Sequence, residues 1–277
     1  MADSATSWDA LLGGRVKILQ PARGFRTAID PVLLAAAVPA GPEDSVLDAG
    51  SGTGAAALSL AARVEGVRVT GLELQPDLAA LARESARASG LAERVTFAEG
   101  DLLAPPEGFP AGGFDHVMAN PPYLAAGSGN PPPDPAKRRA TVEGAAALGD
   151  WLRFLVSMAR DGGTVTVIHR FERADEVTGG LSEGAGGIVV FPLWAKAQEA
   201  RSGISRDRDK NQEARSGISR DRDKNKHGAA AKRVIVHARK GGKGETRISE
   251  GLVLHQDGGA FTPEAEAVLR DAGALAL

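Results

Sequence analysis

The sequence predicts an α/β fold: a doubly wound, mostly parallel sheet of seven strands with helices on both faces. Three observations predict it. From about residue 44 onward, short apolar, strand-like runs alternate with helical stretches, the pattern of a parallel sheet and its covering helices. The first run leads into a glycine-rich turn, Val46-Leu47-Asp48-Ala49-Gly50-Ser51-Gly52-Thr53-Gly54. About seventy residues later another run leads into a stiff, polar-then-aromatic corner, Asn120-Pro121-Pro122-Tyr123. The 277 residues suffice for one well-buried domain of this class with appendages.

In chain order, residues 45–49 form the first strand and 54–64 the helix that follows. Residues 67–73 are the second strand, and 76–89 a helix with Pro76 in its first turn. The third and fourth strands fall at 94–98 and 114–119. A long helix is expected at 143–160, with apolar residues at helical spacing and Trp151 and Phe154 on its core side. The fifth strand is 164–169, residues 172–183 read as helical, and β-rich runs at 187–193 and 232–238 complete the seven. Thr262-Pro263-Glu264 opens a last helix, with a cap, a proline and an acid in its first turn. Right-handed crossovers put the ligand crevice at the strands' carboxyl ends.

Composition narrows the function. There is no cysteine, so neither disulfides nor thiolate metal sites contribute. Five scattered histidines, none paired at helical spacing, argue against a catalytic zinc. Met1-Ala2-Asp3-Ser4 lacks the basic-then-apolar pattern of a secretory signal, and no apolar run reaches the roughly 18 residues that span a bilayer. The expectation is a cytoplasmic protein with no membrane partner.

The net charge is only −2, but it is unevenly spread. Residues 198–247 carry fifteen Lys/Arg against seven Asp/Glu, and the rest eighteen against twenty-eight. Such a basic segment is either a footprint for phosphates or a solvated loop. Inside it, residues 198–211 recur unchanged at 212–225. Two polar copies cannot build a solenoid. The composition suits a disordered insertion between the last two strands, or a basic arm that orders on nucleic acid.

The glycine turn suits a nucleotide-like cofactor. Gly50, Gly52 and Gly54 let the backbone turn tightly and approach a ligand, and the next helix turns its first amides toward it. Asp48, just before the turn, would meet the ammonium of the methionine part of S-adenosylmethionine. Glu73, ending the second strand, would accept from both ribose hydroxyls. Asp101, just after the third, could accept from the adenine amino group, with Leu74 and Leu102 walling the ring. The competing reading is a nicotinamide-dinucleotide domain, since residues 50–55 satisfy the looser G-x-G-x-x-A form and Glu73 lies near the required offset. An acid before the turn would face that ligand's pyrophosphate unfavourably. Such a domain also has no evident use for Asn-Pro-Pro-Tyr.

In that corner two prolines fix φ and leave backbone carbonyls as acceptors. The Asn120 side-chain oxygen and the Pro121 carbonyl can bind the two hydrogens of an –NH2 group, turning its lone pair toward an electron-poor methyl. Tyr123 offers a flat face to a planar substrate, worth about 1–3 kcal/mol if it stacks on a base. Catalysis then rests on orientation and fixed dipoles, with no early general base.

These residues resemble the class I S-adenosylmethionine-dependent methyltransferases that carry an Asn-Pro-Pro-Tyr motif. Asp48 to Gly54 is similar to their first motif, Glu73 to their second-strand acid, Asp101 to their adenine-side acid, and Asn120, Pro121, Pro122 and Tyr123 to their catalytic tetrapeptide. Within that group Gly13-Gly14-Arg15-Val16, Gln20-Pro21, Gly24-Phe25-Arg26-Thr27 and Asp30-Pro31-Val32-Leu33-Leu34 resemble the bacterial adenine-N6 methyltransferases of valine tRNA. Gly251-Leu252-Val253-Leu254-His255 and Phe261-Thr262 resemble that branch too. The resemblance implies a Rossmann-like class I fold whose last strand is antiparallel, and S-adenosylmethionine as cofactor. It also implies a cofactor-covering segment at 1–43, with Thr27 and Asp30 against the cofactor, and a methyltransferase domain at 44–277. The implied partner is tRNA or other structured RNA, methylated at N6 of an adenine.

Other readings stay open. A protein glutamine amide shares the planar –NH2 geometry, as in the release-factor methyltransferases, although only about 45 residues precede Asp48 here. DNA adenine methylation lacks a visible target-recognition domain, and a non-catalytic binding module fits poorly with intact Asn120 and Tyr123. Lys137-Arg138-Arg139 could touch RNA phosphates or be a solvated turn. His169 and Trp194 read as packing residues.

Overall fold

The computed structural model describes residues 6–22, 27–124, 144–197 and 231–277. The first half runs β1 (Thr6–Leu11), β2 (Val16–Pro21), α1 (Asp30–Ala37), β3 (Ser45–Ala49), α2 (Ala55–Arg63), β4 (Arg68–Glu73), α3 (Pro76–Ala88), β5 (Val95–Glu99) and β6 (Phe114–Ala119). The second half runs α4 (Leu148–Met158), β7 (Ala159–Arg170), α5 (Ala174–Ser182), β8 (Ala185–Lys196), β9 (Arg233–Lys240), β10 (Arg247–Ile248), β11 (Leu252–His255) and α6 (Pro263–Leu269). The tandem repeat, the Lys137-Arg138-Arg139 turn and Gly24-Phe25-Arg26 lie outside the described residues.

The seven expected strands form the frame of the main sheet, in the spatial order β8-β9-β7-β6-β3-β4-β5. Strands β5, β4, β3, β6 and β7 are parallel, and β9 runs antiparallel to both its neighbours. Two short strands not read from the sequence, β10 and β11, add to the outer edge of β8. The direction of winding reverses between β3 and β6, so the crevice of a doubly wound sheet opens above that pair.

Side chains of successive strand residues point to opposite faces, and the two cores follow that alternation. Val46, Val69, Met118, Ile168 and Ile235 meet the helices α1, α2 and α6 on one face. Leu47, Leu72, Val117, Val167 and Val236 meet α4 and α5 on the other. Strands buried on both faces have no polar side, which is why they read as continuous apolar runs. Among the described residues no helix is long and apolar enough to cross a membrane.

The N-terminal segment shares the first of these cores. The β1–β2 hairpin is tied to α3, where the Lys17 and Leu19 amides donate to the Ser89 and Ser85 hydroxyls, each at 2.9 Å. Helix α1 is buried from Val32 to Ala37, and the Arg63 guanidinium caps its end by donating to the carbonyls of Ala35 and Val38.

Helix α4 begins later than its apolar spacing suggests. The Asp150 carboxylate accepts from the Ala147 amide at 2.9 Å and fixes the start at Leu148. It ends at Met158, and the chain enters β7 at once. An irregularity there shifts the register between the Phe114–Ala159 and His116–Thr164 pairs. Gly162 supplies the positive φ that this detour needs. Polar residues in the detour hid the first part of the strand from the periodicity.

Candidate active site

A cavity of about 470 Å³ opens at the carboxyl ends of β3, β4, β5 and β6. The sequence-predicted Thr27, Asp48, Gly50, Gly52, Glu73, Leu74, Asp101, Leu102, Asn120, Pro121, Pro122 and Tyr123 all line it. Gly54 and Asp30 do not. A Cβ on Gly54 would sit 2.6 Å from the Phe97 ring, so this glycine lets α2 pack on β5 rather than admitting a ligand. Asp30 is turned to the tyrosine: its Oδ2 accepts from the Tyr123 hydroxyl at 2.6 Å and from Arg233 Nε at 2.9 Å.

The glycine turn is held to the neighbouring strand. The amides of Gly50 and Ser51 both donate to the Leu72 carbonyl, at 2.8 and 3.1 Å. Gly50 and Gly52 have positive φ values of 69° and 56°, which a side chain rarely tolerates. A Cβ on Gly50 would strike the Trp151 indole, whereas a Cβ on Gly52 would meet nothing within 4 Å. Gly52 therefore faces open space in the cavity wall.

Three acids line the cavity here, each engaged by backbone amides. Asp48 is 2% exposed, and it accepts from the Ala57 amide at 3.2 Å. Burial, with Glu73 adding, pushes its carboxyl up to about 7. Glu73 accepts from the Gly52 amide at 2.8 Å and the Gln75 amide at 2.9 Å. Burial still holds it above the ordinary carboxylate range. Asp101 accepts from the Leu103 amide, while Leu74, 64% exposed, presents an apolar side chain at the rim.

Asn120 directly follows β6, the strand paired with β3. Its Oδ1 is buried and finds no hydrogen-bond partner among the described residues. A buried amide oxygen without a donor is costly, about 1–3 kcal/mol, unless a ligand supplies one. The Pro122 carbonyl faces His169 Nε2 at 3.3 Å. Burial first, then the Arg173 charge, hold that imidazole down to about 4, so at neutral pH it is uncharged and an Nε2–H tautomer donates to the carbonyl. The His169 ring also stands edgewise to Tyr123, with centroids 5.3 Å apart. Burial, with Asp30's charge adding, raises the Tyr123 phenol, so its hydroxyl stays protonated.

Several participants escaped the sequence reading. Arg233, the first residue of β9, lies with its guanidinium carbon 4.4 Å from the Tyr123 ring centroid. In the sequence it is one cation in a basic run, with nothing to mark it. Gln20, 2% exposed, lines the cavity, accepts from the Thr27 amide at 2.6 Å and donates to Asp9 at 2.6 Å. A polar residue among the buried positions of β2 was the available signal. Trp151 is core, as its spacing predicts, but its indole also walls the cavity. Trp194 is a packing residue, 1% exposed, donating to the Glu250 carbonyl.

Comparisons with known proteins bear on the fold and on the stretch that carries both motifs. Residues 46–128, spanning the glycine turn and the corner, match the family described as a methyltransferase domain. A release factor glutamine methyltransferase of Moorella thermoacetica is 37% identical over 129 residues, 44% of this chain and 44% of the relative. A tRNA1(Val) (adenine(37)-N6)-methyltransferase of Aeromonas hydrophila is 34% identical over 154 residues, 55% of this chain and 63% of the relative. The chain thus matches less than two thirds of the length of either. A crystal structure described as a predicted O-methyltransferase, protein Atu636 from Agrobacterium tumefaciens, superimposes with a TM-score of 0.66. It covers 90% of this chain and 99% of its own, at 23% identity. With that likeness and the strand order above, the chain has the Rossmann-like methyltransferase fold.

Proposed function

We propose that this protein transfers a methyl group from S-adenosylmethionine to the N6 amino group of an unpaired adenine, with tRNA as the substrate. The observation that carries the reading is the Asn120 Oδ1, without a partner among the described residues, in a cavity that Asp48, Glu73 and Asp101 also line. The residues present fit the cofactor. Asp48 is a buried acid with no ion pair among the described residues, suited to an ammonium group. Gly52 leaves free the space a side chain would fill, and Leu74 and Leu102 form apolar walls for a purine.

When bound, S-adenosylmethionine supplies an electron-poor methyl on sulfur. Asp48 would hold the ammonium, Glu73 the ribose hydroxyls and Asp101 the adenine amino group. Asn120 Oδ1 and the Pro121 carbonyl accept the acceptor's two amino hydrogens, which draws its nitrogen toward a pyramidal form and frees the lone pair. Neither proline has an N–H, so the main chain at Pro121 and Pro122 offers only acceptors. Tyr123 keeps its proton and so walls the site rather than acting as a base. The chemistry asked of the chain is alignment in a preformed polar corner.

The test is direct: protein, methyl-labelled cofactor and tRNA from a strain lacking the gene. Label in N6-methyladenosine after nucleoside digestion is the expected result. A second reading, transfer to a glutamine amide, is favoured by the match to the Moorella thermoacetica relative. Label in a release factor and none in RNA would reverse the ranking.

A further inference from the structure

Tyr123 is gripped by residues that lie far away in the chain and outside the cavity wall. Its hydroxyl donates to Asp30 Oδ2, 93 residues earlier, and the same oxygen accepts from Arg233 Nε, 203 residues after Asp30. The Arg233 guanidinium carbon also stands 4.4 Å from the ring centroid, a cation–π contact. One acid, one base and one ring thus close a three-membered contact. Neither Asp30 nor Arg233 lines the cavity, whereas Tyr123 does.

The anchors are stiff. Asp30 opens α1, whose next six residues but one are buried. Arg233 opens β9, which is paired on both edges by β7 and β8. The side chains of Asp30 and Arg233 are 16% and 29% exposed, so the pair is largely withdrawn from water. A planar guanidinium can hold an acid through Nε and cover an aromatic face at once, which an ammonium cannot do equally well.

We propose that Asp30 and Arg233 are positioning residues that fix the Tyr123 ring as a rigid wall of the acceptor site. This reassigns Asp30, expected from the sequence resemblance to lie against the cofactor, to the acceptor half. The proposal rests on the methyl-transfer reading, and its test separates the two.

Tyr123 is the chain's one tyrosine, so a ¹³C-tyrosine label reports on this ring alone. In the full-length protein, Asp30→Asn and Arg233→Met should each move the ring and Cζ resonances, with Arg233→Lys giving a smaller change. With tRNA and labelled cofactor, the first two variants should lower kcat/KM for the acceptor about ten- to a hundredfold, since small misplacements near the reacting atoms cost that much. Cofactor Kd by calorimetry should stay within about threefold. In a Tyr123→Phe background Asp30→Asn should cost less than it does alone, because part of its contact is already gone. Unmoved tyrosine signals would overturn the proposal. So would a loss carried wholly by cofactor Kd, which would return Asp30 to the cofactor half. If the wild-type protein methylates neither tRNA nor a release factor, yet the tyrosine signals move in both variants, the pin stands and the transfer reading falls.

Discussion

The two sets of residues around the cavity are held differently. On the cofactor side every acid is held by backbone amides: Asp48 by Ala57, Glu73 by Gly52 and Gln75, Asp101 by Leu103. On the acceptor side the corner is held by side chains from remote elements: Asp30 from α1, His169 from β7 and Arg233 from β9. The first set is held by main-chain amides at the strand ends, with Gly52 reaching Glu73 from the glycine turn of the neighbouring strand. The second exists only once the whole sheet has assembled. Changes in the first set should therefore register in cofactor affinity, and changes in the second in turnover.

The sharpest break of that comparison is Asn120→Ala. Removing the acceptor oxygen should lower kcat by about 10²–10³-fold, the usual cost of losing one preorganised polar group at the reacting centre. Cofactor Kd should change less than about threefold. A variant that loses cofactor binding in parallel with turnover would dissolve the distinction between the two sets.

Next in size is Asp48→Asn, expected to weaken cofactor binding about ten- to fiftyfold, the worth of a charge-assisted hydrogen bond. The same acid sets a pH signature. Its folded pKa of about 7 lies above its ordinary 3.8. The stability it contributes is therefore complete below about pH 4 and is lost as pH rises through about 7. Wild-type Tm in the absence of cofactor should fall relative to the Asn variant across that window. Saturating cofactor should stabilise the wild type more at pH 8 than at pH 5.5. Thermal denaturation scans of both proteins at four or five pH values decide it; parallel curves would mean that Asp48 titrates normally.

That division also explains what was legible in the sequence. Strands β3 and β6 are bounded by their motifs and fall where residues 45–49 and 114–119 predict them. The cofactor-side residues are legible for the same reason: each sits at or just after the end of a strand that the apolar runs mark. Arg233 is not, because nothing in a lysine- and arginine-rich run says which cation the antiparallel strand will carry to Tyr123. Asp30 was marked, but its bonds to Tyr123 and Arg233 were not, since a family pattern marks a residue without saying what it touches. The edge strands β10 and β11 are too short for periodicity to mark, and only pairing with β8 defines them.

The glycine turn sharpens the comparison at smaller scale. Gly54→Ala forces a methyl into the Phe97 ring and should destabilise the fold by about 1–3 kcal/mol, read as a lower denaturation midpoint. Gly52→Ala meets nothing in the protein, so its stability loss should be limited to the strain of a positive φ, about 1 kcal/mol. Its main effect should appear in cofactor Kd, because the added methyl projects into the open space that the proposed cofactor would fill. Equal loss of stability in both variants would show that the two glycines do one job.

The smallest expected effect is at His169, whose imidazole supports the Pro122 carbonyl from behind. Its folded pKa of about 4 lies below the ordinary 6.5, so the stability it contributes is complete above about pH 6.5 and lost as pH falls through 4. His169→Gln keeps a side-chain donor within reach of the carbonyl and should remove most of this acid sensitivity while lowering kcat only about two- to fivefold. His169→Ala opens a space beside Tyr123 as well and should lower kcat further, still with cofactor Kd unchanged. Tm measured from pH 3.5 to 7 separates the roles: if the Gln variant keeps the wild-type acid slope, another buried group, with His237 also pushed down to about 4, carries it instead.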